Sequence, residues 1–339
     1  MKNKKKILVI QTAFIGDVIL TLPLIEAVHR KYSGSHISLI ITPKAYDLVK
    51  ANPYINDVII YDKNGKDRGF KNFIKIDKKI KIKKYDMAIL PHRSMRSVML
   101  AYSGGIPERI GFNRSVGKMF LTKVVKYSWN KHEIERNLSL IDEENISKRI
   151  PIFLDAKDVK SADKFLKEKG IKKNDIIIGI APGSVWSTKR WVKERFAELS
   201  KRLIDAYSAK IILFGGKEDE ALCVEIKKIT GKEIVVGAGI LSLGESASVI
   251  SKCDLFITND TAPLHMASAF QIPTVAIFGP TTTDLGFGSY SEFNIVAEKK
   301  MSCRPCGRHG HRECPKEHFK CMNEIATDEV FEACRRLLK

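Results

Sequence analysis

Ile7-Leu8-Val9-Ile10-Gln11-Thr12-Ala13-Phe14-Ile15-Gly16-Asp17-Val18 passes from an unbroken aliphatic run through a turn into a segment of helical periodicity. An aliphatic run without polar alternation is the mark of a strand buried on both faces, as in a parallel sheet covered by helices. The same unit recurs along the chain. Residues 7–11, 36–42, 58–61 and 87–90 read as strands, separated by helical patterns such as 18–32 and 96–103. The rhythm stalls between about 115 and 170, across Ile150-Pro151 and a helical stretch at 159–169 closed by Gly170. It then restarts: 176–181, 210–214, 233–236, 255–258 and 274–278 predict strands, and 190–206, 218–230, 243–251, 263–270 and 328–338 predict helices. The expected fold class is α/β, two Rossmann-like doubly wound parallel-sheet domains facing a central cleft, with ligands at the carboxyl ends of the strands.

The composition agrees. At 339 residues the chain divides into about two domains of ordinary size. With 44% hydrophobic and 29% charged residues, it is neither a disordered tail nor an integral membrane protein. The basic start at residues 1–6 precedes an apolar run that breaks at Gln11-Thr12, too short for a signal-peptide core, which predicts a cytoplasmic location. The 58 Lys+Arg against 39 Asp+Glu give a formal charge of +19, a field that attracts anions. Its densest block is 63–84, where Lys63, Lys66, Arg68, Lys71, Lys75, Lys78, Lys79, Lys81, Lys83 and Lys84 face only Asp67 and Asp77. No aromatic residues interleave regularly with these lysines as on a base-stacking platform, so an anionic membrane surface stands ahead of nucleic acid as the partner. A solvated lysine-rich face is the plainer reading of the same block.

Four loops carry candidate chemistry, one in the first half of the chain and three in the second. The first βα turn lacks Gly-x-Gly-x-x-Gly, which removes a dinucleotide fingerprint. Gly16 permits a tight turn, and Asp17 either projects a carboxylate into the cleft or caps the helix expected from Val18. Ala181-Pro182-Gly183-Ser184-Val185-Trp186-Ser187-Thr188-Lys189 leads into a helix with small residues, hydroxyls and a cation, the makings of an anion cradle. Asn259-Asp260-Thr261-Ala262-Pro263-Leu264-His265 follows a strand, with Asp260 or Thr261 expected to cap the helix and His265 on its opening turns. Phe278-Gly279-Pro280-Thr281 closes a third mouth. Together Ser184, Lys189, Thr261, His265 and Thr281 predict a diphosphate site.

At this point the chain resembles a known family, the ADP-heptose:lipopolysaccharide heptosyltransferases of glycosyltransferase family 9, and most closely their heptosyltransferase II branch. The likeness runs from about Lys6 to the end. It is carried by Ile15-Gly16-Asp17-Val18-Ile19-Leu20-Thr21-Leu22-Pro23, Pro91-His92-Arg93-Ser94-Met95-Arg96-Ser97, Ile106-Pro107-Glu108-Arg109-Ile110-Gly111-Phe112 and His132-Glu133-Ile134-Glu135-Arg136-Asn137, together with the three second-half loops just quoted. The resemblance implies GT-B architecture: an acceptor-binding domain over 1–160, a nucleotide-sugar-binding domain over 161–326, and a closing helix over 327–339 that packs back toward the first domain. It implies inverting transfer of L-glycero-D-manno-heptose from ADP-heptose to the heptose–Kdo inner core of lipopolysaccharide. Asp17 would be the general base, with Lys189 stabilising the departing ADP. Ser184, Asp219, Asp260, Thr261, Ala262, His265, Gly279 and Thr281 would serve the donor, and Gly16, Arg93, Arg96 and Arg109 the anionic acceptor. No cofactor is required by that chemistry. A monomer working at the cytoplasmic face of the inner membrane is expected. The alternatives are a heptosyltransferase of type I or III, a transferase using another nucleotide sugar, or a basic zinc-containing nucleic-acid-binding protein.

Of the seven cysteines, Cys303, Cys306, Cys314 and Cys321 crowd into the loop 301–322 in the spacing Cys-x2-Cys-x7-Cys-x6-Cys. That spacing could supply four soft ligands to a structural zinc; the plainer readings are reduced thiols packed in a loop or disulfides formed on oxidation.

Overall fold

The computed structural model describes residues 4–63, 65–143 and 149–338. Residues 1–3 of the basic start, part of the expected 115–170 interruption, and Lys339 of the closing segment lie outside them. The chain forms two compact units, Met1–Phe153 and Leu154–Lys339. The division falls just before the helix Ala156–Glu168 rather than at residue 160.

The first unit runs β1 (Lys6–Ile10), α1 (Ile15–Ile19), α2 (Leu22–Lys31), β2 (His36–Ile41), β3 (Asp57–Ile60), α3 (Phe70–Lys83), β4 (Met87–Leu90), α4 (Met95–Ser103), β5 (Glu108–Phe112), β6 (Lys123–Val125) and α5 (Glu133–Ser139). Its six strands are parallel in the order β3-β2-β1-β4-β5-β6. Leu8, Val9 and Ile10 are fully buried, as the aliphatic run requires. One expected helix over 18–32 is two: the chain breaks at Leu20 and Thr21, and α2 restarts with Pro23 in its first turn, where a missing N–H costs nothing. Helix α4 is capped by Ser94, whose side chain accepts from the Ser97 amide at 3.2 Å.

The second unit contains α6 (Ala156–Glu168), β7 (Ile177–Ala181), α7 (Lys193–Tyr207), β8 (Lys210–Leu213), α8 (Glu220–Thr230), β9 (Val235–Val236), α9 (Leu243–Ile250), β10 (Leu255–Asn259), α10 (Ala262–Ala269), β11 (Thr274–Phe278), β12 (Asn294–Glu298), α11 (Lys320–Asn323) and α12 (Thr327–Leu337). Its parallel order, β12-β11-β10-β7-β8-β9, repeats the first unit's topology. Helix α7 begins at Lys193, not at residue 190, because Arg190 is extended and Trp191 is anchored by its ring N–H to the Ile325 carbonyl at 3.0 Å. The closing helix α12 packs on α7 and on β11 and β12 of its own unit.

The expected strand and helix rhythm misses β5, β6, α5 and β12, which are short or strongly polar. Within α5, Arg136 is fully buried. Its guanidinium donates to the Tyr127 hydroxyl and Glu133 carboxylate, both at 2.9 Å, and to the carbonyls of Ser128 and Trp129. Tyr127 in turn donates to Glu133 at 2.8 Å. Removing the cation strands a buried carboxylate, so Arg136→Met is expected to lower unfolding free energy by about 3–5 kcal/mol in urea titration. Adding Glu133→Gln should restore part of the loss, and a loss under about 1 kcal/mol would show the cluster is not a folding determinant.

Candidate active site

Both sheets follow the 3-2-1-4-5-6 order of a dinucleotide fold, and in each the strand order reverses between the first and fourth strands. In open sheets of this kind ligands bind at that point, outside the carboxyl edge. In the first unit that edge is the loops after β1 and β4; in the second, those after β7 and β10.

In the first unit Asp17 lies in the opening turn of α1, not before it, and accepts from the Phe14 amide at 3.2 Å. Burial and, secondarily, the nearby Glu133 carboxylate push its pKa up to about 6, against the opposing pull of the Phe14 amide and Arg93. A carboxyl raised to that value is still mostly ionised at pH 7 and suits proton abstraction. After β4, the His92 ring nitrogen Nδ1 lies 3.0 Å from the Thr12 and Ser97 hydroxyls. Burial, then the positive charges of Lys63 and Arg93, push His92 down to about 4, so its ring is neutral. Arg93 stacks on Tyr127 at 4.1 Å, and Arg96 donates to the Lys63 carbonyl at 3.3 Å.

Arg109 does not join them. It sits near the amino end of β5 in register with Ala88, and its donors go to the carbonyls of Phe120, Ile106 and Pro107 while it stacks on Tyr102. That arginine ties strand to loop. Sequence reasoning missed Glu133 and Lys63, which act electrostatically with Asp17, and His92, which bonds Thr12 on the loop after β1. His92 was findable, since a parallel sheet of this order sets the end of β4 beside the end of β1.

In the second unit the structure brings three expected residues together. Lys189, on the loop after β7, meets the Asp260 carboxylate at 2.5 Å and its carbonyl at 3.3 Å, and Thr281 donates to the same carboxylate at 2.7 Å. All three are buried. Asp260 therefore does not cap α10, and Thr261, its N-cap residue, makes no side-chain cap but donates to the Asn259 carbonyl at 3.4 Å. Ala262 and buried His265 lie in the opening turns of α10. Ser184 accepts from the Trp186 amide at 3.2 Å. Asp219 presses against Gly183: a Cβ on that glycine would stand 2.2 Å from its carboxylate. Desolvation raises the Asp219 pKa. Gly279 is held against Met322 on α11 by the same kind of close approach.

The cysteine-rich loop is part of this wall. Arg304 donates to the carbonyls of Thr281 at 2.8 Å and Phe278 at 3.2 Å, and the Cys306 amide donates to Pro280 at 2.8 Å. At its other end the Thr188 hydroxyl accepts from the His311 amide at 2.7 Å and donates to the His311 carbonyl at 2.9 Å. Gly310 passes so close that a Cβ there would lie 2.7 Å from Trp186 and 3.0 Å from Lys189. Residues 304–311 thus clasp both the Thr281 and Lys189 loops.

The expected zinc set is not assembled. Among the described residues no group of three or more His, Cys, Asp or Glu side chains is arranged to hold a metal ion, and the seven cysteines are free thiols. The Cys306 thiol donates to the Cys303 carbonyl at 3.1 Å, while Cys303 approaches His318 at 3.9 Å. Burial and then the neighbouring thiols push Cys321 up to about 11, which keeps it protonated.

Two α/β units, each on a parallel six-stranded sheet of this order, make up the GT-B class of glycosyltransferase fold. Residues 73–317 match the model of glycosyltransferase family 9 (heptosyltransferase). A lipooligosaccharide heptosyltransferase 2 of Campylobacter jejuni serotype O:2 is 33% identical over 168 residues, covering 48% of this chain and 51% of that relative. The enzyme of the same name from serotype O:6 is 25% identical over 339 residues, 98% of this chain and 99% of the relative. The crystal structure of a family 9 glycosyl transferase from Veillonella parvula superposes with a TM-score of 0.89 at 26% identity, covering 100% of this chain and 98% of that one. The chain belongs to glycosyltransferase family 9, and it is a glycosyltransferase.

The raised pKa of Asp17 has a stability consequence. The folded state favours the protonated carboxyl, so this contribution is full below the ordinary value of 3.8 and is lost as pH rises through about 6. Asp17→Asn escapes that loss. Because solvent reaches part of the residue, we expect the variant to be more stable than wild type by about 1–2 kcal/mol at pH 8, a gap that narrows on acidification toward pH 4. Urea titrations at both pH values measure it, and a pH-independent difference would contradict the shift.

Proposed function

We propose that this chain transfers L-glycero-D-manno-heptose from ADP-heptose to the heptose–Kdo inner core of lipopolysaccharide, with inversion, as a heptosyltransferase II-like enzyme at the cytoplasmic face of the inner membrane. The observation that carries the reading is the buried Lys189, held by Asp260 beside Thr281 at the switch point of a family 9 fold. The name of the Campylobacter relative matched over its full length supports the acceptor class.

In this mechanism Asp17 takes the proton of the attacking acceptor hydroxyl as the new C–O bond forms at the anomeric carbon. The bond to the β-phosphate oxygen breaks on the opposite side, and its electron pair leaves with ADP. Lys189 and the first amides of α10, from Ala262 onward, face the growing negative charge, so charge neutralisation is assigned to the protein. Ser184 and Thr281 contact phosphate or sugar, Asp219 binds ribose hydroxyls, and His265 and Thr261 order the diphosphate with Gly279 backing the loop. Gly16, Arg93 and Arg96 meet the acceptor, whose carboxylates and phosphates suit guanidinium forks. Arg109, whose Nε and Nη1 are bound to carbonyls near the amino end of β5, is left out of that set.

Two variants test the roles. In an ADP-release assay with ADP-heptose and a heptose–Kdo lipid acceptor, Asp17→Asn is expected to lose about 100-fold or more in turnover while binding ADP as wild type does. The wild-type rate should fall on acidification through about pH 6, the value to which burial lifts Asp17. A flat profile from pH 5 to 8 would remove Asp17 as the base. Lys189→Met should weaken both ADP binding and turnover, and its thermal midpoint must be compared in parallel because it leaves Asp260 buried without its cation. Undiminished ADP binding would remove Lys189 from the donor site.

A further inference from the structure

Helix α3 is apolar on two sides. Its inner face is accounted for: Ile76 and Ile80 are buried in the core of the first unit, and Asp77 is fixed by the Ser103 hydroxyl at 2.6 Å and by Lys81 at 2.8 Å. The outer face is not. Phe70 is 76% exposed, Ile82 79% and Ile74 37%. At about 100° per residue these three share one side of the helix with Lys71, Lys75, Lys78 and Lys81, and Phe70 and Ile82 stand about 18 Å apart along it. The helix carries six lysines against one aspartate. Beside its end, Ile82 and Lys79 border a groove of about 550 Å³ whose floor is Val58, Ile59 and Ile60 of the edge strand β3.

We infer that the outer face of α3 is a docking surface for an anionic lipid bilayer, with the lysines on headgroup phosphates and Phe70, Ile74 and Ile82 inserted at the level of the first acyl carbons. Lysines alone would suit any polyanion. Large exposed side chains interleaved with them gain nothing from a phosphodiester backbone, whereas an interfacial bilayer gives them an apolar phase and the cations a negative surface. The groove beside Ile82 continues the apolar strip onto β3. The inference extends the proposed lipid-linked acceptor by naming the surface that meets the membrane, and rests on that reading only for its purpose.

The test uses the full chain and lipid alone. Vesicles of phosphatidylethanolamine with one third phosphatidylglycerol should sediment the protein, vesicles of phosphatidylcholine should not, and added salt should weaken the binding. The double variant Phe70→Ser/Ile82→Ser is expected to bind the anionic vesicles about tenfold less tightly, with an unchanged thermal midpoint and unchanged turnover on an acceptor stripped of its acyl chains. In Ile82→Trp, indole emission should shift to the blue on adding anionic vesicles. Equal binding by the double variant, no blue shift, or displacement from vesicles by a single-stranded oligonucleotide would each overturn the inference. Loss of ADP binding or transfer in the wild type would instead defeat the transferase reading and leave the vesicle result standing.

Discussion

The buried ion pair between Lys189 and Asp260 is the constraint around which the second unit's crevice is built. Each charge is costly to remove from water, and the pair is tolerated only where geometry and added hydrogen bonds compensate. Here Lys189 also donates to the Asp260 carbonyl, and Asp260 also accepts from Thr281. The pair joins the loop after β7 to the loop after β10, which the topology makes neighbours, and Thr281 adds the loop after β11. One set of charges thereby fixes three loops at the carboxyl edge of the sheet.

The same constraint explains the cysteine-rich loop. Residues 304–311 fasten to the Thr281 loop at one end, through Arg304, and to Thr188 at the other, through His311. Within this clasp the Cys306 thiol donates to the Cys303 carbonyl, and among the described residues no His, Cys, Asp or Glu group is arranged to hold a metal ion. Gly310 is needed because the loop runs against Lys189 itself. In the first unit Asp17 has no direct ion-pair partner: burial and then Glu133 raise its pKa, and Glu133 itself is held by Arg136 and Tyr127.

Much of this was legible in the sequence for physical reasons. Aliphatic runs such as 7–10 and 255–257 have no reading but buried strands, and alternation with helical segments yields the parallel sheets. Lys189, Asp260 and Thr281 were singled out by their loops, but not their mutual contact, because spacing along a chain says nothing of which carboxylate a lysine will reach. The cap expected from Asp260 or Thr261 failed on both counts: the buried Lys189 takes the Asp260 carboxylate, and the Thr261 hydroxyl donates to the Asn259 carbonyl. Arg109 was misplaced because its motif lies on a strand, and only the register shows that it sits away from the carboxyl edge. Helix α5 escaped notice because its buried face is the polar Glu133–Arg136 cluster rather than an apolar stripe, and β6 because three residues paired with β5 are too short to show a period.

The central claim is that the Lys189–Asp260–Thr281 corner receives the diphosphate of an adenine nucleotide sugar. Calorimetric titration of the intact chain with ADP, GDP and UDP tests it most directly. The account predicts saturable binding of ADP in preference to GDP and UDP, weakened by Thr281→Val, which keeps the shape and removes the hydroxyl. Preference for UDP or GDP would contradict the heptosyl donor, and no heat with any of the three would contradict the diphosphate site itself.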